Sequence, residues 1–467
     1  MASFQPSGPL ERIARPERDV NLVPDVLRDT QASVVDVEDA CETIIQLTLD
    51  FEYISYIDFI TGDRDARVLV AVMKAHKSSR IVQEYGCLAL RYITECEIKG
   101  TSLVLYAEGG LAVIDAMQEP TARQQVTGCL QYTPSVKVYE HGLFVLSKLT
   151  RDFPFLKWFT NITGITQVLH AMRVNVSEEA IQKHGCVVIR NISKNSQCYD
   201  KVNMLGGIDV IARAMREHIR SPAVAVIACE AFYNIAKSKA NCMEILNVGG
   251  IAAILGVIGC DTAHVHLFQE GSRALSRLAL KDVASEEIGR LGGVALVVRV
   301  MSEHAECAQV QMRGCEVLRI MARNDSNREE IVNTQGVEVI LSAMEQHPFN
   351  KGPLLQPFNK GLALQFCGAI RELARGLALD VTVNLRLRIA TAVVAAMREH
   401  IPDTTVCKRG CEALKALALY AEAGVPIMDA GGIEAVEDVM DMWFFEKKLQ
   451  QVGSDTLDLL ASASRRA

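Results

Sequence analysis

The hydrophobic positions of this chain repeat on two scales. Within short segments they fall three or four residues apart, the spacing of one face of an α-helix. Between segments they return every 43 residues. G-C-V-V-I-R-N-I-S begins at Gly185, A-C-E-A-F-Y-N-I-A at Ala228, G-S-R-A-L-S-R-L-A at Gly271 and G-C-E-V-L-R-I-M-A at Gly314. An earlier copy, G-L-F-V-L-S-K-L-T, begins at Gly142, and further starts at Ala40, Gly86, Phe366, Gly410 and Gly453 bring the number to ten. Four and seven residues after each start stands a large apolar residue, as in Leu146 and Leu149 or Leu275 and Leu278. Eight residues after it stands only Ala, Ser or Thr. Offsets 0, 1, 4, 7 and 8 form one stripe, which predicts a packed helix in every copy.

A second phrase lies upstream of most of these helices. It reads G-G-I-D-V-I-A-R-A-M at Gly206, G-G-I-A-A-I-L-G-V-I at Gly249, G-G-V-A-L-V-V-R-V-M at Gly292 and G-G-I-E-A-V-E-D-V-M at Gly431. Paired glycines end a short helix such as Cys198 to Leu205 and open an apolar second helix. Each unit therefore reads as short helix, glycine bend, second helix, third helix. No such unit buries its apolar stripes alone, so the copies must stack.

Three helices in about 43 residues with this phrasing resemble the armadillo-repeat family. The resemblance runs over residues 36–467 and implies an all-α fold, a right-handed α-solenoid of nine to ten repeats. Residues 1–35, with four prolines, read as an N-terminal arm that is partly disordered. The mixed charges of Glu11, Arg12, Arg15, Glu17, Arg18 and Asp19 oppose a signal peptide or a mitochondrial presequence. The longest apolar run, Gly249 to Cys260, is too short to span a membrane.

Composition alters the picture at three points. The chain is 467 residues long, 49% hydrophobic and only 6% aromatic, which suits small aliphatic helix packing over one large core. Of its 14 cysteines, Cys41, Cys87, Cys186, Cys229, Cys315, Cys367 and Cys411 all fall at offset 1 on the buried stripe. Stacked helices lie about 8–10 Å apart, too far for equivalent cysteines to bridge, so these are small core hydrophobes of a reducing compartment. His76, His218, His304, His347 and His400 each follow by three residues the methionine that closes a second helix. There an imidazole is placed to serve the last carbonyls of its own helix. Cys260, His264 and His266 are the one local metal-like cluster, but no second pair stands at zinc spacing, and neither a metal nor a cofactor is expected. No phosphate-binding glycine loop, nucleophile elbow or H-E-x-x-H motif is present, and the chain reads as no enzyme.

The third point is charge. Offsets 2, 5, 6 and 9 of the third helix lie opposite the buried stripe, on the face that lines the concave groove of armadillo proteins. Over the six units from Gly142 to Phe366 they hold Lys148, Arg151, Arg190, Lys194, Lys237, Arg273, Arg277, Arg319, Arg323, Arg371 and Arg375. Against these eleven bases stand Glu230, Glu316 and Glu372, in a chain whose formal charge is −7. The pattern predicts a basic groove for an extended acidic protein segment, with arginine suited to bidentate carboxylate contacts. Asn191 and Asn234 match the asparagines with which armadillo peptide binders clamp a ligand backbone. Importin-α-like receptors also carry a tryptophan ladder at offset 2. Here that offset holds Phe144, Val187, Glu230, Arg273, Glu316, Gly368 and Glu412, so recognition of a basic nuclear localisation signal is not expected.

Two units break the period in the same loop, between second and third helices, near 118–141 and 345–362. The second insertion contains P-F-N-K-G twice, at Pro348 and Pro357. Trp443, Phe444 and Phe445 sit in the last such loop, placed to cap the C-terminal end of the core or to dock a neighbour. The function expected is a non-catalytic interaction scaffold or structural subunit, cytoplasmic and on the family resemblance cytoskeletal or ciliary. The alternatives are nucleic-acid binding through the basic groove and an armadillo-type role in transport or small-GTPase regulation.

Overall fold

The computed structural model describes residues 63–95, 97–118, 134–159, 162–195, 198–347, 356–374, 382–419 and 424–464. They form 25 helices and, among the described residues, no strand. Contacts divide the chain into two compact units, Met1–Ile235 and Ala236–Ala467. Each unit is a stack of one repeat, and the fold is an all-α helical-repeat solenoid.

The first unit holds α1 (Asp63–Ala75), α2 (Arg80–Glu95), α3 (Glu97–Tyr106), α4 (Gly109–Ala116), α5 (Val136–Leu149), α6 (Phe153–Phe159), α7 (Ile162–Val174), α8 (Glu179–Ile192), α9 (Tyr199–Met204), α10 (Gly207–Glu217) and α11 (Pro222–Ile235). Its third helices α2, α5, α8 and α11 pack each on the next. The second unit opens with α12 (Lys239–Asn247), α13 (Gly250–Cys260), α14 (Val265–Leu278), α15 (Asp282–Arg290), α16 (Gly293–Glu303) and α17 (Ala308–Met321). It continues with α18 (Asp325–Asn333), α19 (Gly336–Gln346), α20 (Gln356–Leu373), α21 (Val383–Glu399), α22 (Thr404–Ala418), α23 (Gly424–Asp429), α24 (Gly432–Met442) and α25 (Lys447–Ser464). There α14, α17, α20, α22 and α25 form the corresponding row of third helices. The start at Ala40 and the arm 1–35 lie outside the described residues.

The predicted stripe is the core. Leu146, Ile189 and Phe232 in the first unit and Leu275, Leu318 and Phe366 in the second are fully buried. The two glycines of the bend have different tasks. Gly206, Gly249, Gly292 and Gly431 have φ between 71° and 76°, the left-handed region that a Cβ disfavours. Glu108 and Gln335 fill the same place at φ 59°, at a cost of about 1 kcal/mol each. The following glycine is the stricter requirement: a Cβ on Gly293 would lie 2.7 Å from the Ile288 carbonyl oxygen. A search for G-G pairs therefore misses the bend at Gln335 and, by finding Gly109-Gly110, places the one at Glu108 a residue late.

Two seams join second to third helix. The closing methionine lies across the glycine that starts the third-helix pattern, so that a Cβ on Gly185 would stand 2.4 Å from Met172 Sδ. Three residues before that glycine, a glutamine side chain turns back onto the end of the second helix. Gln311 Nε2 donates to the carbonyls of Met301 and His304, both at 2.8 Å, and Gln83, Gln182 and Gln450 repeat the contact. These four glutamines share offset −3, which Tyr139, Ala225, Phe268, Ala363 and Cys407 hold in other repeats.

The histidines act differently from the expectation. His218, His304 and His347 reach one repeat back, with Nε2 2.8 Å from the carbonyl oxygens of Val176, Thr262 and Ala305, and at His304 the end of its own helix is already served by Gln311. Trp443 takes this place in the last repeat, its indole Nε1 donating to the Ile401 carbonyl at 2.7 Å. Trp443 is thus part of the repeat, with Phe445 against it edge-on and Phe444 76% exposed. The insertion near 345–362 is also only partly loop: Gln356 onward belongs to α20, so the second P-F-N-K-G forms helix, while the first lies outside the described residues. Of 118–141, Val136 onward belongs to α5, and 119–133 lie outside the described residues.

The cysteines at offset 1 that are described, Cys87, Cys186, Cys229, Cys315, Cys367 and Cys411, are buried free thiols. Burial pushes the thiols of Cys87, Cys186, Cys315 and Cys367 up to about 12. Among the described residues no three His, Cys, Asp or Glu side chains are grouped to hold a metal ion. His264 is used instead as the cap of α14, its Nδ1 accepting from Leu267 N at 3.1 Å. No single helix among them is long and apolar enough to cross a membrane.

Candidate functional site: the polar face of the third helices

The residues opposite the buried stripe line the rows of third helices in both units. In the first unit Phe144 on α5 is the centre of a cationic cluster. The Arg91 guanidinium lies 4.5 Å from its ring centroid and Lys148 Nζ 5.1 Å, while the His184 ring meets it edge-on at 5.0 Å. Arg91 also approaches His141 Nδ1 at 3.3 Å and Glu140 at 3.5 Å. Phe144 stands at the offset of the importin tryptophans, and its ring is already occupied by the protein's own cations. Burial, first among several influences, lowers both His141 and His184 to about 4, so both are neutral near pH 7.

Arg190 on α8 is tied down. Its Nη1 donates to Glu230 on α11 at 2.7 Å, and Nε and Nη2 donate to Asn191 Oδ1 at 3.3 and 3.2 Å. Asn191 is itself buried, its Nδ2 donating to the Ser147 carbonyl at 3.2 Å and to Thr150 Oγ1 at 3.1 Å. It holds α8 to α5 and is spent within the protein. Asn234 Nδ2 donates to the Arg190 carbonyl at 3.4 Å, again one repeat back. Arg151 and Lys194 are exposed.

In the second unit Lys237 is exposed and Arg277 half-buried. Arg273 pairs with Glu270 at 2.6 Å. Arg371 on α20 bonds Glu412 on α22 at 2.6 Å and also Glu372. Burial opposes its charge, but these two carboxylates raise its guanidinium above the ordinary range. Arg319 on α17 donates through Nε to Gln365 Oε1 at 2.7 Å, and its chain lies against Gly368. Arg323 is exposed, 4.0 Å from Glu372. Arg375 lies outside the described residues.

Two corrections follow for the charge of the stripe. A carboxylate at offset 2 of one repeat accepts the arginine at offset 5 of the repeat before, in Arg190–Glu230 and Arg371–Glu412. Moreover, offset −1 belongs to this face and from Gly142 to Gly410 holds His141, His184, Ile227, Glu270, Arg313, Gln365 and Arg409. The same arithmetic that found the other rows finds this one. Eleven bases against three acids therefore overstates the free positive charge, which resides mainly in Arg151, Lys194, Lys237, Arg319 and Arg323. An open cleft of about 740 Å³ lies away from this face, between α15 and α18, lined in part by Glu286, Glu287 and Glu330.

No family model matches the chain, and no curated protein matches it in sequence. Solved structures do. An engineered protein from the Northeast Structural Genomics Consortium superposes with a TM-score of 0.70 at 18% identity, over 94% of this chain and 98% of that one. A structure described by a conserved phosphorylation switch controlling the interaction between cadherin and β-catenin superposes with a TM-score of 0.54 at 14% identity, over 96% and 92%. Both likenesses are of fold.

Proposed function

We propose that this chain is a non-catalytic interaction scaffold of armadillo type, which holds an extended acidic protein segment along the polar face of its third helices. The observation that carries this reading is the cationic surplus left on that face after internal pairing, in a protein whose formal charge is −7. Repeated helices present such a row of side chains at regular spacing, which matches an extended ligand. The β-catenin likeness adds a fold in which protein partners are bound. Free buried thiols accord with a cytoplasmic location, where the scaffold serves as an adaptor or as a subunit of a cytoskeletal or ciliary assembly.

Lys148, Lys194, Arg319 and Arg323 changed together to Gln give the test, since Arg190 and Arg371 also hold repeats together. Titration of a labelled Asp/Glu-rich peptide should show binding that weakens with salt and falls at least about tenfold in the variant. Equal binding by both proteins overturns the reading. Tighter, steeply salt-dependent binding of single-stranded nucleic acid would replace it.

A further inference from the structure

In the second unit Arg319 and Arg409 form no ion pair among the described residues, and Arg323 has only a long one, 4.0 Å from Glu372. Arg319 of α17 extends onto α20, where Gly368 leaves room for its chain: a Cβ there would stand 2.5 Å from Arg319 Cδ. Its one bond among the described residues goes to the neutral amide of Gln365. Arg409 of α22 makes no hydrogen bond or ion pair among the described residues, and its Nη1 is buried without an acceptor. A buried donor left without an acceptor is destabilising, and more so when the group is charged.

The nearby carboxylates are committed elsewhere. Glu316 accepts from Arg313 at 2.7 Å, and Glu372 and Glu412 both accept from Arg371. Burial, and after it the charges of Arg409 and Arg323, hold the Arg319 guanidinium below its ordinary range. The three arginines therefore sit close enough to repel one another, and although Glu316 and Glu372 offset part of that charge, Arg319 and Arg409 form no ion pair among the described residues.

We propose that Arg319, Arg323 and Arg409 form the seat for a phosphoryl group carried by the segment bound along the second unit. The choice of group follows from charge and donors. A carboxylate offsets one of the two unpaired guanidiniums, whereas a phosphoryl group brings a charge of about −1.5 to −2 and three acceptor oxygens. Guanidinium forks from α17 and α22, which flank α20, match such an oxyanion with charge-assisted bonds. This proposal rests on the segment-binding reading and adds to it a modification state that the partner must carry.

The test is isothermal titration calorimetry of the full chain with three probes. They are inorganic phosphate and one Asp/Glu-rich dodecapeptide with its central serine either free or phosphorylated. The phosphorylated peptide should bind at least about tenfold more tightly than the free one. R409Q and R319Q should each bring that ratio below about twofold, while R409K, which keeps charge but loses the fork, retains part of it. Lys148→Gln, in the first unit, should weaken both peptides and leave the ratio unchanged. R409Q removes an unpaired charge, so its thermal unfolding should match or exceed that of the parent, which separates a lost seat from a lost fold. Equal affinity for the two peptides overturns the seat and leaves the acidic-segment reading standing. Phosphate binding that depends on Arg409, with neither peptide bound, supports the seat and overturns the segment reading. If none of the three probes binds, both fall.

Discussion

The polar faces of the two units carry similar sequences of cations and use them differently. In the first unit Arg91 and Lys148 lie over Phe144, and Arg190 is divided between Glu230 and Asn191. In the second, Arg371 is held by two carboxylates, but Arg319 finds only a neutral amide and Arg409 finds nothing among the described residues. The difference originates one residue before each repeat start. His141 and His184, which are neutral, stand there in the first unit, whereas the second has Glu270, Arg313, Gln365 and Arg409. Charge written along a stripe is thus not charge offered to a ligand. What reaches a ligand is the surplus after each cation has found its internal partner.

The largest expected effect that tests this contrast is acidification. His141 and His184 are held near 4, chiefly by burial, against an ordinary value of 6.5. Arg91 and Lys137 further oppose protonation of His141, while Glu140 and Glu84 favour it; Lys183, Arg91 and Lys148 oppose that of His184. Between those values the unfolded chain binds more protons than the folded one, so stability rises with pH. The contribution is complete above about pH 6.5 and is lost as pH falls through about 4, at roughly 2–3 kcal/mol per histidine once discounted for solvent screening. In the second unit His400 is also lowered, first by burial, but it sits in a loop, and no histidine stands at offset −1. Hydrogen exchange between pH 7 and 4.5, corrected for intrinsic rates, should therefore lose protection earlier in α5 and α8 than in α17 and α22. Equal loss in both would break the comparison.

Single substitutions sharpen it further. Phe144→Ala removes the ring under two cations and should destabilise the first unit by about 3 kcal/mol. Glu316→Ala at the same offset in the second unit should cost below about 1 kcal/mol, because its pair with Arg313 is partly solvated. Urea unfolding followed in each unit measures both, and comparable losses would mean that the aromatic plate is no anchor. A smaller step compares the two inter-repeat ion pairs. Glu230→Gln leaves Arg190, whose side chain is 17% exposed, without a carboxylate and should cost about 1–2 kcal/mol. Glu412→Gln should cost about half as much, because Arg371 keeps Glu372.

The 43-residue step made the repeat, its three helices and its core stripe legible, because burial imposes the same residue types in every copy. The polar face was legible only as composition. Where Arg190 goes depends on Glu230, forty residues on and in a different helix, and the distance between their atoms is set by stacking. Asn191 matched a ligand clamp by position, yet its amide was consumed by Ser147 and Thr150 of the preceding repeat. The histidines failed for a related reason. Their spacing from the closing methionine is plain, but stacking brings carbonyls of the preceding repeat within reach of His218, His304 and His347, and at His304 Gln311 takes those of its own helix. Periodicity locates a side chain on a face, and competition among neighbours decides its partner.

That competition supplies the smallest effect, at a repeat where a thiol replaces the glutamine; Tyr139, Ala225, Phe268 and Ala363 hold the same offset elsewhere. Cys407 stands at offset −3 before Gly410, with Sγ 3.4 Å from the His400 carbonyl oxygen, 3.5 Å from that of Ile401 and 3.9 Å from that of Met397. A thiol has one weak hydrogen to give, whereas the glutamine amide gives two strong ones, as Gln311 does at 2.8 Å to each of two carbonyls. The end of α21 is therefore less well satisfied than the end of α16. Cys407→Gln should raise the stability of the second unit by about 0.5–1 kcal/mol, and Gln311→Cys should lower it by a similar amount. Both shifts are readable as changes in urea midpoint. A loss in both variants would show that the seam around Cys407 has closed to the volume of a thiol, so that the repeats share a pattern there without sharing a geometry.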